Sequence, residues 1–451
     1  MIKKARDVLN PPFKSHFIGL ILQACLVGFI TGLVVSLFRR IIDLTLQGLQ
    51  LIYPIMRTNY WLVIGYVILM ILITLLIGKI VHPYQTNLVG SGVPQIEAIL
   101  KNQNAMNWWQ ILWRKFVGGL LAICPGLFLG REGPCIQMGA AIGQGVAEQL
   151  FKDRQELTRA LLSCGVAAGL SAAFSAPIAG AMFLLEEIIF SFQPEIWITA
   201  LAAAICSDAV TILFFGTKPC LYLPITINLP PSSYLYVALF GIVIGGLAYF
   251  YQYCLLNLRW WYSKVPKLPS QYHSIIPLVL IIPVGLWNPQ ILGGSHVFIN
   301  QIAKMGVNPA YLQNLSKLIW LLILFFVIRF ALSMISYGAT VPGGIFMPIL
   351  VLGAILGSII AALLIQFKAI PEQAFINIVV ATMSAYFGAI EGAPFTAVML
   401  LTEMIGSVDQ VLPITLMTFI AYIVNDLLGG KPIYGALREE MFGPVSAVHS
   451  H

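Results

Sequence analysis

Charged residues are scarce in this chain. Asp, Glu, Lys and Arg together make up 10% of its 451 residues, whereas hydrophobic residues make up 59%. Because soluble domains carry about 25% charged residues, this composition excludes an ordinary soluble protein and indicates an integral membrane protein. Long apolar segments recur along the whole sequence, which predicts an all-α polytopic bundle and not a barrel of short alternating strands.

Paired cysteines and basic stripes are also missing. Most of the seven cysteines lie inside apolar runs, as Cys25, Cys124 and Cys164 do, and no paired spacing connects them. We therefore expect neither a disulfide framework nor a metal site. The net charge of +7 comes from basic residues scattered between the apolar segments. We interpret them as loop and orientation charges, and we expect no nucleic-acid partner.

The sequence contains no familiar catalytic motif. The patterns H-E-x-x-H, G-x-S-x-G and the Walker loop do not occur, and the six histidines lie in or near predicted loops and termini. An intramembrane enzyme needs a nucleophile or a metal constellation. We therefore expect no enzymatic activity and no cofactor.

The first apolar run, residues 17–38, follows a basic N-terminus that contains Lys3, Lys4 and Arg6. The run is too long for the core of a signal peptide, so it is predicted to remain as a helix. Positive residues beside a first helix favour the cytoplasmic side of the membrane. We therefore predict a cytoplasmic N-terminus.

Glycine and proline positions repeat between two halves of the chain. Residues 217–233, rich in Pro, Thr, Asn and Ser, form a predicted linker between residues 1–216 and residues 234–451. The positions that recur at an offset of 214 (344 − 130) are Gly130, Pro134, Gly139 and Gly143, which correspond to Gly344, Pro348, Gly353 and Gly357. Those that recur at an offset of 217 (393 − 176) are Ala176, Pro177 and Glu186, which correspond to Ala393, Pro394 and Glu403. Repeated halves with interrupted helices are typical of transporters that bind their substrate near the membrane midplane.

The stretch Gly130-Arg131-Glu132-Gly133-Pro134 separates two apolar runs. Gly and Pro break helices, and Pro favours the first turn of a new one, so a helix is predicted to begin near Pro134. A helix start presents unpaired N–H groups and a partial positive charge, which attract anions. Glu132 beside this start either caps the helix or competes there with a mobile anion.

Four loop motifs together resemble those of the CLC family of chloride channels and proton/chloride antiporters. In the order of that family, they are Gly90-Ser91-Gly92-Val93-Pro94, Gly130 to Pro134, Gly344-Ile345-Phe346-Met347-Pro348 and Tyr434. The resemblance implies an inverted-repeat bundle whose broken helices meet at the midplane, and a homodimer with one pore in each subunit. The regulatory C-terminal domains of many eukaryotic members are missing, so we expect a prokaryotic protein of the plasma (inner) membrane.

The resemblance also implies which groups bind chloride, the transported substrate. For the central anion, they are the amides of Ile345 and Phe346 and the hydroxyls of Ser91 and Tyr434. For the outer anion, they are the amides of Arg131, Gly133 and Met347. Considered alone, Ser91 would be an ordinary helix N-cap, and Tyr434 would be a tyrosine of the membrane interface. In this family, serine at the position of Ser91 goes with chloride, in preference to nitrate or fluoride.

Two glutamates are implied to carry protons. When ionised, Glu132 occupies an anion position, and when protonated it swings away, so it acts as the gate. Glu187 corresponds to the internal proton-transfer residue of the antiporters, whereas channel members usually have an uncharged residue there. We therefore expect a proton-coupled chloride antiporter; the alternative is a passive, voltage- or pH-gated chloride channel of the same fold. Glu97 is interpreted as structural, and Arg329 as facing a buried partner or an aqueous cavity.

Overall fold

The computed structural model describes most of the chain. The described residues are 11–444, apart from 152–154, 218–219, 222, 224, 226, 265–267, 309–310 and 312–313. Lys3, Lys4 and Arg6 lie outside this part, and the cytoplasmic N-terminus stays a prediction.

In the described residues, the first half of the chain forms helices α1 to α9. They are α1 (Pro11–Met56), α2 (Tyr60–Val81), α3 (Gln85–Leu88), α4 (Val93–Leu100), α5 (Trp108–Ile123), α6 (Glu132–Leu150), α7 (Gln155–Phe174), α8 (Pro177–Phe183) and α9 (Pro194–Phe215). A 3-10 turn, His82–Tyr84, follows α2. Helix α8 continues directly into a π-helical turn, Leu184–Ile189.

The described part of the second half forms helices α10 to α19. They are α10 (Tyr234–Leu256), α11 (Leu258–Ser263), α12 (Ile275–Trp287), α13 (His296–Val307), α14 (Leu315–Gly338), α15 (Phe346–Gln366), α16 (Phe375–Glu391), α17 (Pro394–Ile405), α18 (Val411–Leu427) and α19 (Ile433–Phe442). Short 3-10 turns lie at Pro231–Ser233, Ser270–Tyr272, Pro289–Ile291 and Glu372–Ala374.

The helices confirm the predicted all-α polytopic bundle. Nine helical segments of the described residues are long and apolar enough to cross a membrane. The predicted linker falls between the end of α9 at Phe215 and the start of α10 at Tyr234. The division of the chain into residues 1–216 and 234–451 stays a prediction.

Helices α6, α7, α15 and α16 form the buried centre of the bundle. Most of their side chains are inaccessible to solvent. By contrast, α1, α2 and α10 expose large apolar side chains such as Leu22, Trp61 and Phe250. Lipid tails are as apolar as these side chains, so the outer helices are suited to lipid contact. Groups that bind ions are therefore to be sought among the central helices.

Glycines allow the central helices to cross closely. A Cβ atom added to Gly139 of α6 would lie 2.1 Å from the carbonyl oxygen of Gly165 in α7. A Cβ atom added to Gly357 of α15 would lie 2.7 Å from the Cα atom of Val379 in α16. Small residues four apart permit such contacts between helices. The repeated glycines of the two halves therefore serve the same kind of crossing.

Helices α8 and α17, which begin at the repeated Ala-Pro pairs, cap each other. Glu186, in the π-helical turn after α8, accepts hydrogen bonds of 3.0 and 2.7 Å from the first N–H groups of α17. Glu403, near the end of α17, accepts bonds of 3.0 and 2.7 Å from the first N–H groups of α8. Each carboxylate thus lies at the positive end of the other helix. This reciprocity requires the two helices to run in opposite directions, as the inverted repeat implies.

We expect Gly139→Ala to destabilise the protein, because the added methyl group would collide with the backbone of α7. Overpacking a tight core costs about 1–3 kcal/mol, and this outweighs the gain in helix propensity of roughly 1 kcal/mol. Thermal unfolding of the purified protein in detergent measures the effect. The matched control is Gly246→Ala, because nothing lies within 4 Å of a Cβ atom added there. Equal unfolding temperatures for the two variants would contradict the close crossing.

Candidate ion pathway

Three helices begin close together inside the bundle. Helix α4 begins at Val93, α6 at Glu132 and α15 at Phe346, so α6 begins two residues earlier than predicted. Gly130 and Gly344 exchange two backbone hydrogen bonds of 2.7 and 2.8 Å. These bonds join the loops that precede α6 and α15.

The loop before α4 is joined to the same segment. The Gly90 N–H donates to the Val341 carbonyl at 2.9 Å, and the Gly90 carbonyl accepts from the Gly343 N–H at 3.1 Å. Ile345 is the N-cap residue of α15, so its N–H and that of Phe346 lie at this helix start. Three sets of unpaired N–H groups and three positive helix ends therefore converge, which is a favourable environment for an anion.

Ser91 lies between two of the helix starts. Its Oγ accepts a hydrogen bond from the Val93 N–H, the first of α4, at 3.2 Å. A Cβ atom added to Gly133 would lie 2.6 Å from the Ser91 Cβ, which means that Ser91 also touches the start of α6. The N-cap residue of α4 is Gly92, so Ser91 is not an ordinary N-cap, and a contact of Ser91 with an anion stays a prediction.

Glu132 is fully buried as the first residue of α6. Its carboxylate interacts with the backbone N–H groups of Glu132 itself and of Met347, although no described group forms a hydrogen bond of full geometry with it. The carboxylate is folded over Gly130, where an added Cβ atom would collide with it and would lie 3.0 Å from the Met347 nitrogen. Glu132 thus lies near an amide that the resemblance assigns to the outer anion.

A cavity of about 350 Å³ leads to Glu132 from one side. Arg39, Arg131 and His296 are among its lining residues. The Arg131 guanidinium pairs with Asp43 and lies 3.1 Å from the Nε2 atom of His296. Three arginines, Arg39, Arg40 and Arg131, outnumber the two acidic residues of the lining, Asp43 and Glu132. An excess of positive charge at a cleft raises the local concentration of anions, so this cavity is suited to be an anion entrance that ends at Glu132.

A second cavity, of about 520 Å³, approaches Gly90 from another direction. Arg259, Tyr337 and Thr340 contribute to its lining. The Tyr337 hydroxyl would lie 3.1 Å from a Cβ atom added to Gly90, and it interacts with Ser91. Tyr337 was not selected from the sequence, because this residue stands in an apolar helix without a motif. Only the tertiary fold brings Tyr337 to this loop.

Phe346 and Tyr434 belong to one aromatic cluster. The Phe346 ring centroid lies 4.3 Å from that of Phe387 and 5.1 Å from that of Phe174. Phe183 connects Phe346 to Tyr434, with centroid distances of 6.0 and 6.4 Å. Tyr434 is fully buried, and its hydroxyl has no hydrogen-bond partner among the described residues. The alternative of an interfacial tyrosine is therefore wrong.

Buried cations support the loops and do not enter the anion site. The Lys115 ammonium donates to two backbone carbonyls of the loop before α4, at 2.9 and 2.8 Å. Arg329 donates to two backbone carbonyls before α13, which are the buried partners that it was expected to face. Glu97 pairs with Arg438 at 3.1 Å, as expected of a structural residue. Lys115 was not selected from the sequence, although a lysine inside an apolar helix was a visible signal.

The two glutamates of the π-helical turn lie in different surroundings. Glu186 caps α17, whereas Glu187 is 1% exposed and its carboxylate has no hydrogen-bond partner in the described part of the chain. Glu187 interacts electrostatically with Glu391, the last residue of α16. π-Helical turns are frequent at functional sites. Glu391 was not selected from the sequence, where it stands between two apolar runs and outside every motif.

Metal ligands are not clustered in the described ranges of the chain, where no group of three or more His, Cys, Asp and Glu side chains could hold an ion. The converging loops instead offer backbone N–H groups and hydroxyls. Two carboxylates, those of Glu132 and Glu187, are buried and have no hydrogen-bond partner of full geometry in the described part of the chain. This set of groups is suited to an anion and to protons.

Comparisons with known proteins agree with this chemistry. The family model described as voltage gated chloride channel matches residues 72–426. The H(+)/Cl(-) exchange transporter ClcA of Vibrio cholerae serotype O1 is 30% identical over 97% of this chain and 93% of its own length. The transporter of the same name from Vibrio parahaemolyticus is 32% identical over 79% of this chain and 76% of its own.

Solved structures share the fold. The crystal structure of a slow cyanobacterial Cl-/H+ antiporter has a TM-score of 0.83 and 28% identity, over 94% of this chain and 98% of that one. A CLC-type fluoride/proton antiporter has a TM-score of 0.71 over 91% of this chain and 96% of that one. Its identity is 18%, so this second likeness concerns the fold alone.

We expect Glu132→Gln to bind chloride about tenfold more tightly near neutral pH, because a charged competitor for the same N–H groups is removed. Hydrogen bonds to charged groups contribute about 1.5–3 kcal/mol, so displacing the carboxylate is costly for the ion. Native affinity should rise as the pH falls and Glu132 gains a proton, whereas the variant should show little pH dependence. Calorimetric titration of the purified protein measures both. The control is Glu156→Gln, at an exposed position; equal affinities for native protein and Glu132→Gln would contradict the competition.

Proposed function

This chain belongs to the voltage-gated chloride channel family, and we propose that it is a proton-coupled chloride antiporter of the prokaryotic plasma membrane. The observation that carries the proposal is the presence of two buried, unpaired carboxylates, Glu132 and Glu187. A passive anion pathway needs neither of them. Relatives named as H(+)/Cl(-) exchange transporters support the same choice.

Chloride is held by dipoles and not by full charges. The amides of Ile345 and Phe346 and the hydroxyls of Ser91 and Tyr434 form the central site in this proposal, and the amides of Arg131, Gly133 and Met347 form the outer one. An ion that crosses must be bound well enough to enter and weakly enough to leave. Consistent with this, the ammonium of Lys115 is bound to carbonyls, and the guanidinium of Arg131 is bound to Asp43.

Protons take a partly separate route. Backbone N–H groups have no lone pair to accept a proton, so a proton cannot follow chloride through the amide-lined site. The Glu132 carboxylate and the outer anion compete for one site. Glu132 leaves this site when it is protonated and returns to it when it is ionised. Glu187 supplies the inner end of the proton route. Alternate occupation of one place by chloride and by the Glu132 carboxylate is what couples the two fluxes.

Each subunit of the proposed homodimer carries its own pore. One chain contains the complete set of converging loops, with Ser91, Glu132 and Phe346 at the three helix starts. No second copy is needed to complete the pathway. The homodimer itself follows from the resemblance to the family.

The alternative function is a passive chloride channel with the same fold. It is favoured only by the name of the family model. In a channel, Glu187 would have no proton to transfer, and its burial without a partner would be a pure cost to folding. The unpaired Glu187 therefore favours the antiporter.

We predict that a chloride gradient drives protons in the opposite direction in liposomes that contain the purified protein. Glu187→Gln should reduce proton flux at least tenfold while chloride still crosses, because the amide cannot hold a transferable proton. Glu186→Gln is the neighbouring control, since Glu186 already serves as the cap of α17. Its effect should fall on stability more than on coupling. A pH electrode and a chloride electrode follow the two fluxes.

Native protein that dissipates a chloride gradient without any pH change would make this protein a channel. If the native protein couples the two fluxes and Glu187→Gln couples them equally well, Glu187 is not part of the proton route, and the antiporter function still holds.

A further inference from the structure

Glu391 is a third carboxylate buried near the pathway. It is the last residue of α16 and is 0% exposed. Neither of its oxygens has a hydrogen-bond partner of full geometry among the described residues. The sequence and the proposed antiport cycle give it no role so far.

The surroundings of Glu391 contain other ionisable groups but no compensating cation. Its carboxylate interacts with the Tyr434 hydroxyl of α19. Glu187 of the π-helical turn, Tyr337 of α14 and Tyr251 of α10 also lie within electrostatic range. Within the described residues, no Lys or Arg forms an ion pair with Glu391. Four separate elements thus face this carboxylate, and none of them neutralises it.

The backbone around Glu391 does not compensate for its charge either. Glu391 stands at the C-terminal end of α16, where the helix dipole is negative. Two amide donors at the end of α16 are used by backbone carbonyls: Gln252 donates to the Ile390 carbonyl and Asn425 to the Ala389 carbonyl, both at 2.8 Å. The ionised form of Glu391 is therefore costly here, and binding a proton removes that cost.

Packing does not require a glutamate at this place. At the repeat offset of 217, residue 391 corresponds to residue 174 (391 − 217), which is Phe174. Phe174 is fully buried and packs against Phe346 with a centroid distance of 5.1 Å. The equivalent position of the first half is thus filled by an apolar side chain, so chemistry and not shape accounts for the carboxylate in the second half.

We propose that Glu391 is a proton-carrying residue between Glu187 and the central anion site at Tyr434. A proton leaves the Glu187 carboxylic acid and binds the Glu391 carboxylate; Glu187 becomes ionised and Glu391 neutral, so charge is conserved. The Tyr434 hydroxyl is the second observation that supports this role, because it is fully buried, interacts with the Glu391 carboxylate and has no hydrogen bond of full geometry among the described residues. This inference rests on the proposed antiport function.

The position of Glu391 also relates the proton to chloride. When Glu391 is ionised, its negative charge lies beside the Tyr434 hydroxyl and repels an anion from the central site. When Glu391 is protonated, the repulsion disappears and the Tyr434 hydroxyl is free to donate to the anion. Proton arrival at Glu391 and chloride occupancy at Tyr434 therefore favour each other.

The experiment compares native protein with Glu391→Gln and Glu391→Leu in liposomes, with chloride and proton fluxes measured together. Both variants should lower proton flux at least tenfold while chloride flux persists, so the ratio of protons to chloride falls. Glu391→Asp should restore part of the proton flux. The matched control Glu156→Gln, at an exposed position, should keep the native ratio. A purely structural residue would change the amount of active protein and leave the ratio unchanged.

Each other outcome overturns the inference in a recognisable way. If the native protein couples the two fluxes and both Glu391→Gln and Glu391→Leu keep the native ratio of protons to chloride, Glu391 is not part of the proton route. The antiporter function would still hold. Native protein without proton flux overturns the proposed function and this inference with it. Failure of both Glu391→Gln and Glu391→Leu to fold would show that the carboxylate is structural, because removing an unpaired buried charge should otherwise not harm folding.

Discussion

The paired backbone hydrogen bonds between Gly130 and Gly344 are the contact on which the ion pathway depends. A buried helix start with unpaired N–H groups is costly, and this fold brings several together. The two bonds use the groups of the loops themselves, which fixes the helix starts against each other. The N–H groups just beyond, such as that of Met347, are left for a mobile partner. The backbone of the site is therefore fixed, whereas the group bound to its free N–H groups can be replaced by another.

The repeat builds a symmetric frame around an asymmetric site. The capping of α8 by Glu403 and of α17 by Glu186 uses equivalent residues of the two halves. At the helix starts, the symmetry ends: the first half contributes the buried carboxylate of Glu132, and the second half contributes Phe346 inside an aromatic cluster. Equivalent backbones thus carry different side chains, and this difference gives the pathway a direction.

Local chemistry predicted the fold well, and it predicted only part of the site. Gly and Pro positions marked the starts of α6 and α15 to within two residues, because these residues act on their own backbone. Tyr337 and Glu391 carried no such local signal, since their importance comes from neighbours far away in the chain. Tyr434 considered alone gave the wrong interpretation for the same reason: only the fold shows that it is buried. Lys115 was detectable, as a lone charge inside an apolar helix, and was overlooked.

Stability alone would not favour buried carboxylates that form no ion pair within the described residues, such as those of Glu132, Glu187 and Glu391. Moving an ionised carboxylate out of water costs several kcal/mol even after relaxation. Each of Glu132, Glu187 and Glu391 must therefore either incur this cost or bind a proton. A pure scaffold would be more stable with apolar side chains there, as Phe174 illustrates at the position equivalent to Glu391. A protein that binds and releases protons inside the membrane needs groups whose charged and neutral forms are both accessible. In the proposed antiport cycle, the same energetic cost that weakens the fold is what lets these three residues exchange protons as chloride moves.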